Sequence, residues 1–314
     1  MQLCIVIPCY NEQEVLPTTS SQLSLLLEEL IAKKKILPTS HVCFVDDGSK
    51  DQTWNIIEDL CAQNTRFKGI KLSRNRGHQN ALLAGLFMAE GDAIVSIDAD
   101  LQDDLAAIEK MVDAYNNGFE IVYGVRSKRE TDTFFKRLSA EGFYSFMQMM
   151  GVDIVHNHAD YRLLSKRVLD HLKTFNETNL FLRGMIPMLG FSSTTVYYER
   201  AERFAGESKY PLKKMLSFAW DGITSLSVVP LRLITAMGLI IFFISSAMSV
   251  WVVFIKLFTN QAVSGWASTV LPIYFIGGIQ LLSIGIVGEY IGKIYLETKA
   301  RPRFIIEKTI GITA

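Results

Sequence analysis

The sequence predicts an α/β domain built on a mostly parallel sheet, followed by an amphipathic interfacial helix and two transmembrane helices. Three observations lead there. Short apolar runs alternate with helix-length amphipathic segments over residues 3–125, the pattern of a parallel sheet covered on both faces. Polar clusters stand at the ends of three of those runs, where ligands of such sheets bind. Two long apolar runs fill the last third, each near the roughly 20 residues that a membrane-crossing helix needs.

The elements follow in order. Residues 3–8 form a first strand. Residues 14–34 form a helix with Leu23, Leu26, Leu27 and Leu30 on one side. Residues 41–46 are a second strand ending in acid, and residues 51–64 a helix that Ser49 or Asp51 can cap. Strand 68–72, helix 79–89, strand 93–98, helix 105–116 closed by Gly118, and strand 120–125 complete the alternation. The irregular, charged and aromatic region that follows belongs to the same domain, which spans residues 1–209.

Residues 210–232 turn amphipathic. Leu212, Met215, Leu216, Ala219, Trp220, Ile223 and Leu226 recur at helical spacing, with Lys213, Lys214, Ser217 and Asp221 opposite, as in a helix lying flat at a membrane surface. The uninterrupted apolar runs are residues 233–255 and 269–287, inside a segment 233–288. Lys256 is the only charge between Arg232 and Glu289, whereas Arg200, Arg203, Lys209, Lys213, Lys214 and Arg232 precede the runs and Lys293, Lys299, Arg301 and Arg303 follow. Basic flanks stay on the cytoplasmic side. The domain and the tail 289–314 are therefore expected in the cytoplasm and the connector 257–268 outside. The N-terminus has no signal-peptide pattern.

Lysine plus arginine equals aspartate plus glutamate, 32 each, so no basic excess suggests nucleic-acid binding. Cys4, Cys9, Cys43 and Cys61 form no C-x-x-C pair and read as small buried hydrophobes of a reducing compartment.

The main chemical signal is Asp98-Ala99-Asp100-Leu101-Gln102 at a strand end. Two carboxylates one residue apart can share Mg²⁺ or Mn²⁺, hard cations that take oxygen ligands and keep substrate phosphates in their shell. Asp46-Asp47-Gly48-Ser49 and Pro8-Cys9-Tyr10-Asn11-Glu12 end two neighbouring strands. They bring a base-stacking aromatic and further acids to one cleft, and Gly48-Ser49 also has turn and cap chemistry. Neither a G-x-G-x-x-G nor a P-loop pattern is present. His156-Asn157-His158 is weak as a metal motif.

I-P-C-Y-N-E, V-D-D-G-S-K-D-Q-T, S-R-N-R-G-H and D-A-D-L-Q-D together resemble family 2 glycosyltransferases of the GT-A fold. Asp160-Tyr161-Arg162-Leu163, the run from Arg200 to Tyr210, and Gly288-Glu289-Tyr290-Ile291-Gly292-Lys293 with Arg301-Pro302 are similar to the polyprenyl-phosphate branch, which includes dolichol-phosphate mannose synthases and bactoprenol glucosyltransferases of O-antigen modification. The two apolar spans favour the bacterial group and hence the bacterial inner membrane.

The resemblance implies that Asp98, Asp100 and Gln102 hold the metal and donor diphosphate. Pro8, Tyr10, Glu12, Asp46 and Asp47 hold the nucleoside. Arg126, Arg129, Arg200 and Lys209 face the lipid phosphate or the diphosphate, and Asp100, Asp160 and Arg126 are the catalytic candidates. Asp160 orients the acceptor, balances an arginine or acts as base. Asp104-Leu105 departs from the proline common in such proteins and bears on the helix start. The implied reaction is inverting transfer of a hexose, by resemblance from UDP-glucose, to undecaprenyl or another polyprenyl phosphate. A carbohydrate acceptor and a catalytically silent scaffold are the competing readings. Gly288-x-x-x-Gly292 has the spacing of close helix–helix contact, which leaves a homo-oligomer open.

Overall fold

The computed structural model describes residues 1–127, 149–150, 158–178, 180–199, 220, 222–225, 227–258 and 266–312. Its first five strands, β1 (Leu3–Cys9), β2 (His41–Asp46), β3 (Phe67–Leu72), β4 (Ala93–Ser96) and β5 (Ile121–Arg126), alternate with helices α1 (Leu16–Ala32), α2 (Thr53–Gln63), α3 (His78–Met88) and α4 (Ala107–Asn116). Then come β6 (His158–Ser165), α5 (Lys166–Leu172), α6 (Leu182–Met188) and β7 (Ser193–Tyr198), the long helices α7 (Val229–Phe258) and α8 (Trp266–Lys299), and β8 (Ile306–Ile310).

One eight-stranded sheet runs in the order β7-β5-β6-β4-β1-β2-β3-β8. β1 is buried along its whole length, and its side chains alternate between two cores as the strand period requires. Leu3, Ile5 and Ile7 join the layer with α1, α2 and α4. Cys4 and Val6 join the layer with α3, α5 and α6. The cysteines are free, three of them buried, and burial pushes the Cys4 thiol up to about 12.

The sheet is mixed. β6 enters antiparallel between β4 and β5, and β8 pairs antiparallel with β3. The residues expected to form a tail thus include the last eleven residues of α8 and an edge strand. Thr309 pairs with Ile70, and Lys308 Nζ reaches Glu58 Oε1 at 2.6 Å. Arg303 donates to the Phe175 carbonyl, and Phe304 packs edge-on to Phe87. Without β8, β3 would present an open edge. The chain thus leaves the domain after β7 and rejoins its sheet at β8.

At 30 and 34 residues, α7 and α8 run about 45 and 51 Å at 1.5 Å per residue, more than a hydrocarbon core of about 30 Å. Among the described residues one stretch, Ile279–Lys299, is apolar and long enough to cross a membrane, with mean hydropathy 1.3 and none of it buried; Val229–Ile241 is a shorter apolar helix. Most of the expected amphipathic segment lies outside the described residues. The part that is described docks on α8. Lys293 Nζ donates to Ser225 Oγ at 2.9 Å, and the Tyr290 hydroxyl to the Ser227 carbonyl at 2.7 Å.

Candidate active site

The strand ends named by the sequence meet along one edge of the sheet, and two loops there are stapled together. Asn11, in the left-handed region at φ 56°, donates its N–H to Ser49 Oγ at 3.0 Å, and its side-chain oxygen accepts from Lys50 N–H at 2.9 Å. Asparagine tolerates that backbone better than most residues. Glu12 N–H reaches Thr53 Oγ1 at 2.8 Å, and Gln52 N–H reaches Gln13 Oε1 at 3.1 Å. Gly48 must be glycine: its φ is +66°, and a Cβ there would stand 2.6 Å from the backbone of Arg74 and Asn75. Much of the Y-N-E and D-D-G-S-K-D-Q-T motifs therefore fixes a rigid wall, with Tyr10 exposed on it and Pro8 buried behind it.

Asp46 and Asp47 are both buried. Asp46 accepts from Ser49 N–H at 3.2 Å. The two oxygens of Asp47 take the N–H groups of Arg76 and Gly77 at 2.7 and 2.9 Å, tying the S-R-N-R-G-H loop to the end of β2. Burial raises both carboxyls, and these hydrogen bonds oppose it.

The D-A-D-L-Q loop leaves β4. Thr19 of α1 donates to the Ala99 carbonyl at 2.9 Å, and Asp100 Oδ1 accepts from Gln102 N–H at 3.2 Å. Leu101 is held at φ 55°, a strained choice for a leucine that the surrounding loop must impose. Gln102 is buried and Asp100 half-exposed. Asp104 replaces the expected proline with cap chemistry, its Oδ1 accepting from Ala106 N–H at 2.9 Å ahead of α4.

β6 supplies the opposite side. Ser96 pairs with Arg162 across the antiparallel ladder, so the same register, continued past the end of β4, brings Asp160 opposite Asp98. Ser96 Oγ donates to the Asp160 carbonyl at 2.6 Å. Asp160 and Arg162, two apart on one strand, share a face and form an ion pair. Arg183 of α6 adds a fork, Nε and Nη2 at 3.3 and 3.2 Å from the two Asp160 oxygens. His78, first residue of α3, places Nε2 3.6 Å from Asp98 and 3.7 Å from Asp160. Burial would raise the Asp160 carboxyl, but Arg162, Arg183 and His78 hold it well below the usual range. Asp98 is the reverse. Burial raises it to about 6; His78 opposes, while Asp160, Asp103 and Asp100 push further up.

Arg126, at the end of β5, lies beside Asp103 (3.5 Å) and donates to the Tyr198 hydroxyl at 3.3 Å, while that hydroxyl donates to Asp103 at 2.6 Å. Its guanidinium is one-third exposed. Asp98, Asp100, Asp160 and Arg126 thus come from three segments, the loop after β4, β6 and the end of β5. Arg129, Arg200 and Lys209 lie outside the described residues, as do His156 and Asn157 of the H-x-H run. The motifs quoted from the sequence contained His78, Asp103 and Arg162 without giving them roles. Arg183 and Tyr198 had no local signal and become visible only through the fold.

A divalent cation fits this donor set on charge. Asp160, Asp103 and Asp100 add to the rise that burial causes at Asp98, and a cation there would relieve that repulsion. Among the described residues no three acidic, histidine or cysteine side chains converge to cage an ion by themselves. A cation here would complete its shell with phosphate oxygens, as Mg²⁺ and Mn²⁺ do.

A cleft of about 790 Å³ opens from His78 outward, between the start of α3 and the Glu289–Leu296 turns of α8. A concavity of similar size near Asp92, Glu120 and Lys166 touches none of the residues above.

Comparison with known proteins identifies the family. The model of "Glycosyl transferase family 2" matches residues 4–173. The uncharacterised glycosyltransferase YkoT of Bacillus subtilis is 52% identical over 97% of this chain and 91% of its own length. The prophage bactoprenol glucosyl transferase homolog of Escherichia coli K12 is 37% identical over 98% and 99%, and the bactoprenol glucosyl transferase of Shigella phage SfII 38% identical over 98% of each. With that family model covering more than half of the chain and relatives aligned from end to end, the protein belongs to glycosyl transferase family 2 and is a glycosyltransferase.

Proposed function

We propose that the protein transfers glucose from a nucleotide-sugar, UDP-glucose, to a polyprenyl phosphate at the cytoplasmic face of a bacterial membrane, with inversion at the anomeric carbon. The observation that carries this reading is the cleft that starts at His78, a neighbour of Asp98 and Asp160, and has an exposed apolar helix as its other wall. The end-to-end likeness to bactoprenol glucosyl transferases supports it.

The chemistry follows from charge. A phosphate oxygen is ionised at neutral pH and needs no strong base. Asp160, held deprotonated by two arginines, is a poor proton acceptor; its work is to position Arg162, Arg183 and His78. Asp98 and Asp100 would bind Mg²⁺ or Mn²⁺, which supplies charge neutralisation on the leaving diphosphate. Tyr10 offers a stacking face to the base, and Glu12 with the stapled loops bounds the nucleoside pocket. Arg126 offers a guanidinium to the two anions that must meet. Arg129, Arg200 and Lys209 extend that role toward the membrane surface. Holding donor and acceptor in line supplies the rest of the rate.

Incubation of the full-length protein in membranes with radiolabelled UDP-glucose and undecaprenyl phosphate should move label into an organic-extractable lipid. Label that stays in water, or that needs a carbohydrate acceptor, would refute the reading.

The return of the chain to the sheet at β8 and the basic flanks on both sides support two spans, α7 and α8, over one. A cysteine at Ser264 in a cysteine-free background should label from outside intact cells, and one at Lys308 only after permeabilisation. The opposite pattern would place the site outside.

A further inference from the structure

The cleft has one wall from the soluble domain and one from α8. Arg76, His78 and Phe181 line the first; Glu289, Gly292 and Lys293 line the second. Its inner end is His78, within 4 Å of both Asp98 and Asp160. Its other wall belongs to a helix that is apolar further along, where Leu281, Ile284 and Ile291 are 74%, 68% and 60% exposed. A ligand that spans this passage must be ionised at one end and long and apolar at the other. The two walls each bring a cation. Arg76 has a buried Nε with no partner among the described residues, and the Lys293 ammonium is fixed by Ser225 at 2.9 Å.

Gly292 leaves its part of the cleft wall without a side chain. A Cβ built at Gly288 or Gly292 meets nothing within 4 Å. Among the described residues no helix is packed against this G-x-x-x-G pair, the use its spacing suggests. Glycine weakens a helix interior relative to alanine, and of the two only Gly292 lines the cleft.

We propose that the cleft between the start of α3 and the inner end of α8 is the passage by which the phosphate head of a long-chain apolar phosphomonoester reaches the reaction centre. Arg76 and Lys293 draw the phosphate in from the two walls, and Gly292 keeps the passage clear. The assignment rests on the lipid-phosphate reading above and adds the residues that admit that substrate.

The test compares Gly292→Leu with Gly288→Leu in the full-length enzyme, since both put the same side chain on the same helix one turn apart. Gly292→Leu should raise the apparent KM for undecaprenyl phosphate about tenfold and leave that for UDP-glucose within about twofold. Gly288→Leu should match the parent. Lys293→Ala should raise the same KM, with Lys293→Arg restoring most of it. Geranyl phosphate, which has little tail to thread, should be affected less by Gly292→Leu. Parent-like kinetics in both glycine variants would overturn the proposal. So would equal damage in both, which would point to helix packing, or an unchanged KM in Lys293→Ala should the leucine variants fail to fold. If the parent itself forms no glycolipid, the functional reading fails and the passage falls with it, an outcome separate from a normal parent with unaffected variants.

Discussion

Asparagine at Asp100 is expected to lower kcat by at least about 10³-fold, roughly 4 kcal/mol of transition-state stabilisation, with thermal stability close to that of the parent. The structural contact of this carboxylate is mild: one oxygen accepts from Gln102 N–H at 3.2 Å, and an asparagine oxygen can do the same. What asparagine cannot do is supply the second negative charge for a hard cation beside the donor diphosphate. Dialysis against EDTA should therefore mimic the variant, and Mg²⁺ or Mn²⁺ should restore the parent but not the variant. Asp98→Asn should be equally inactive yet at least as stable without metal. Its carboxyl is raised to about 6, so its charge opposes folding above that pH, and removing the charge at pH 7 relieves the repulsion. Added cation should then raise the parent's Tm and leave both variants where they were. Full activity of the parent in chelator would remove the metal from the assignment.

Much of this centre was legible because its ligands hang from apolar strands. β1, β2 and β4 announce themselves as short hydrophobic runs, and the acids sit at their ends or within four residues beyond them. Asp98 and Asp46 could be placed without knowing the sheet order. β6 could not be read the same way. H-A-D-Y-R-L-L-S carries Asp160 and Arg162 in a fully interior strand, and charged residues in a strand break the alternation that identifies it. Its position between β4 and β5 is a long-range pairing with no local signature. Arg183 and Tyr198, which depend on that pairing, were invisible for the same reason. β8 was hidden differently. I-E-K-T-I is a short edge strand behind R-P-R, and polar edge strands resemble tails. The stapled loops were half legible: Ser49 was read as a cap or turn residue, but its partner Asn11 lies 38 residues away.

Asparagine at Asp160 tests whether that carboxylate is a base or an anchor, and the two roles predict different signatures. Arg162 is 1% exposed, and its Nε and Nη1 have no partner among the described residues; its charge is answered by Asp160. Taking that charge away leaves a buried guanidinium uncompensated, which costs about 3–5 kcal/mol. Asp160→Asn should therefore unfold at markedly lower denaturant, beyond any loss of turnover. Replacing Arg162 with methionine in the same chain should recover much of the stability, since a buried pair removed together is often close to neutral. Activity should not return, because Arg183 and His78 have lost the carboxylate that aims them. The pH dependence has a definite sign. The Asp160 carboxyl is depressed in the folded state, so its stabilisation is complete above the unfolded value near 3.9 and is lost as pH falls below it. A base with such a depressed carboxyl would show no acid limb in kcat between about pH 5 and 8, and neither would an anchor, so the profile alone does not decide. The double variant does. If Asp160→Asn is as stable as the parent and methionine at position 162 brings no recovery, the buried pair is not what holds this corner of the site. If the double variant regains turnover as well as stability, Asp160 has no part in aiming Arg183 and His78 at the reacting phosphates.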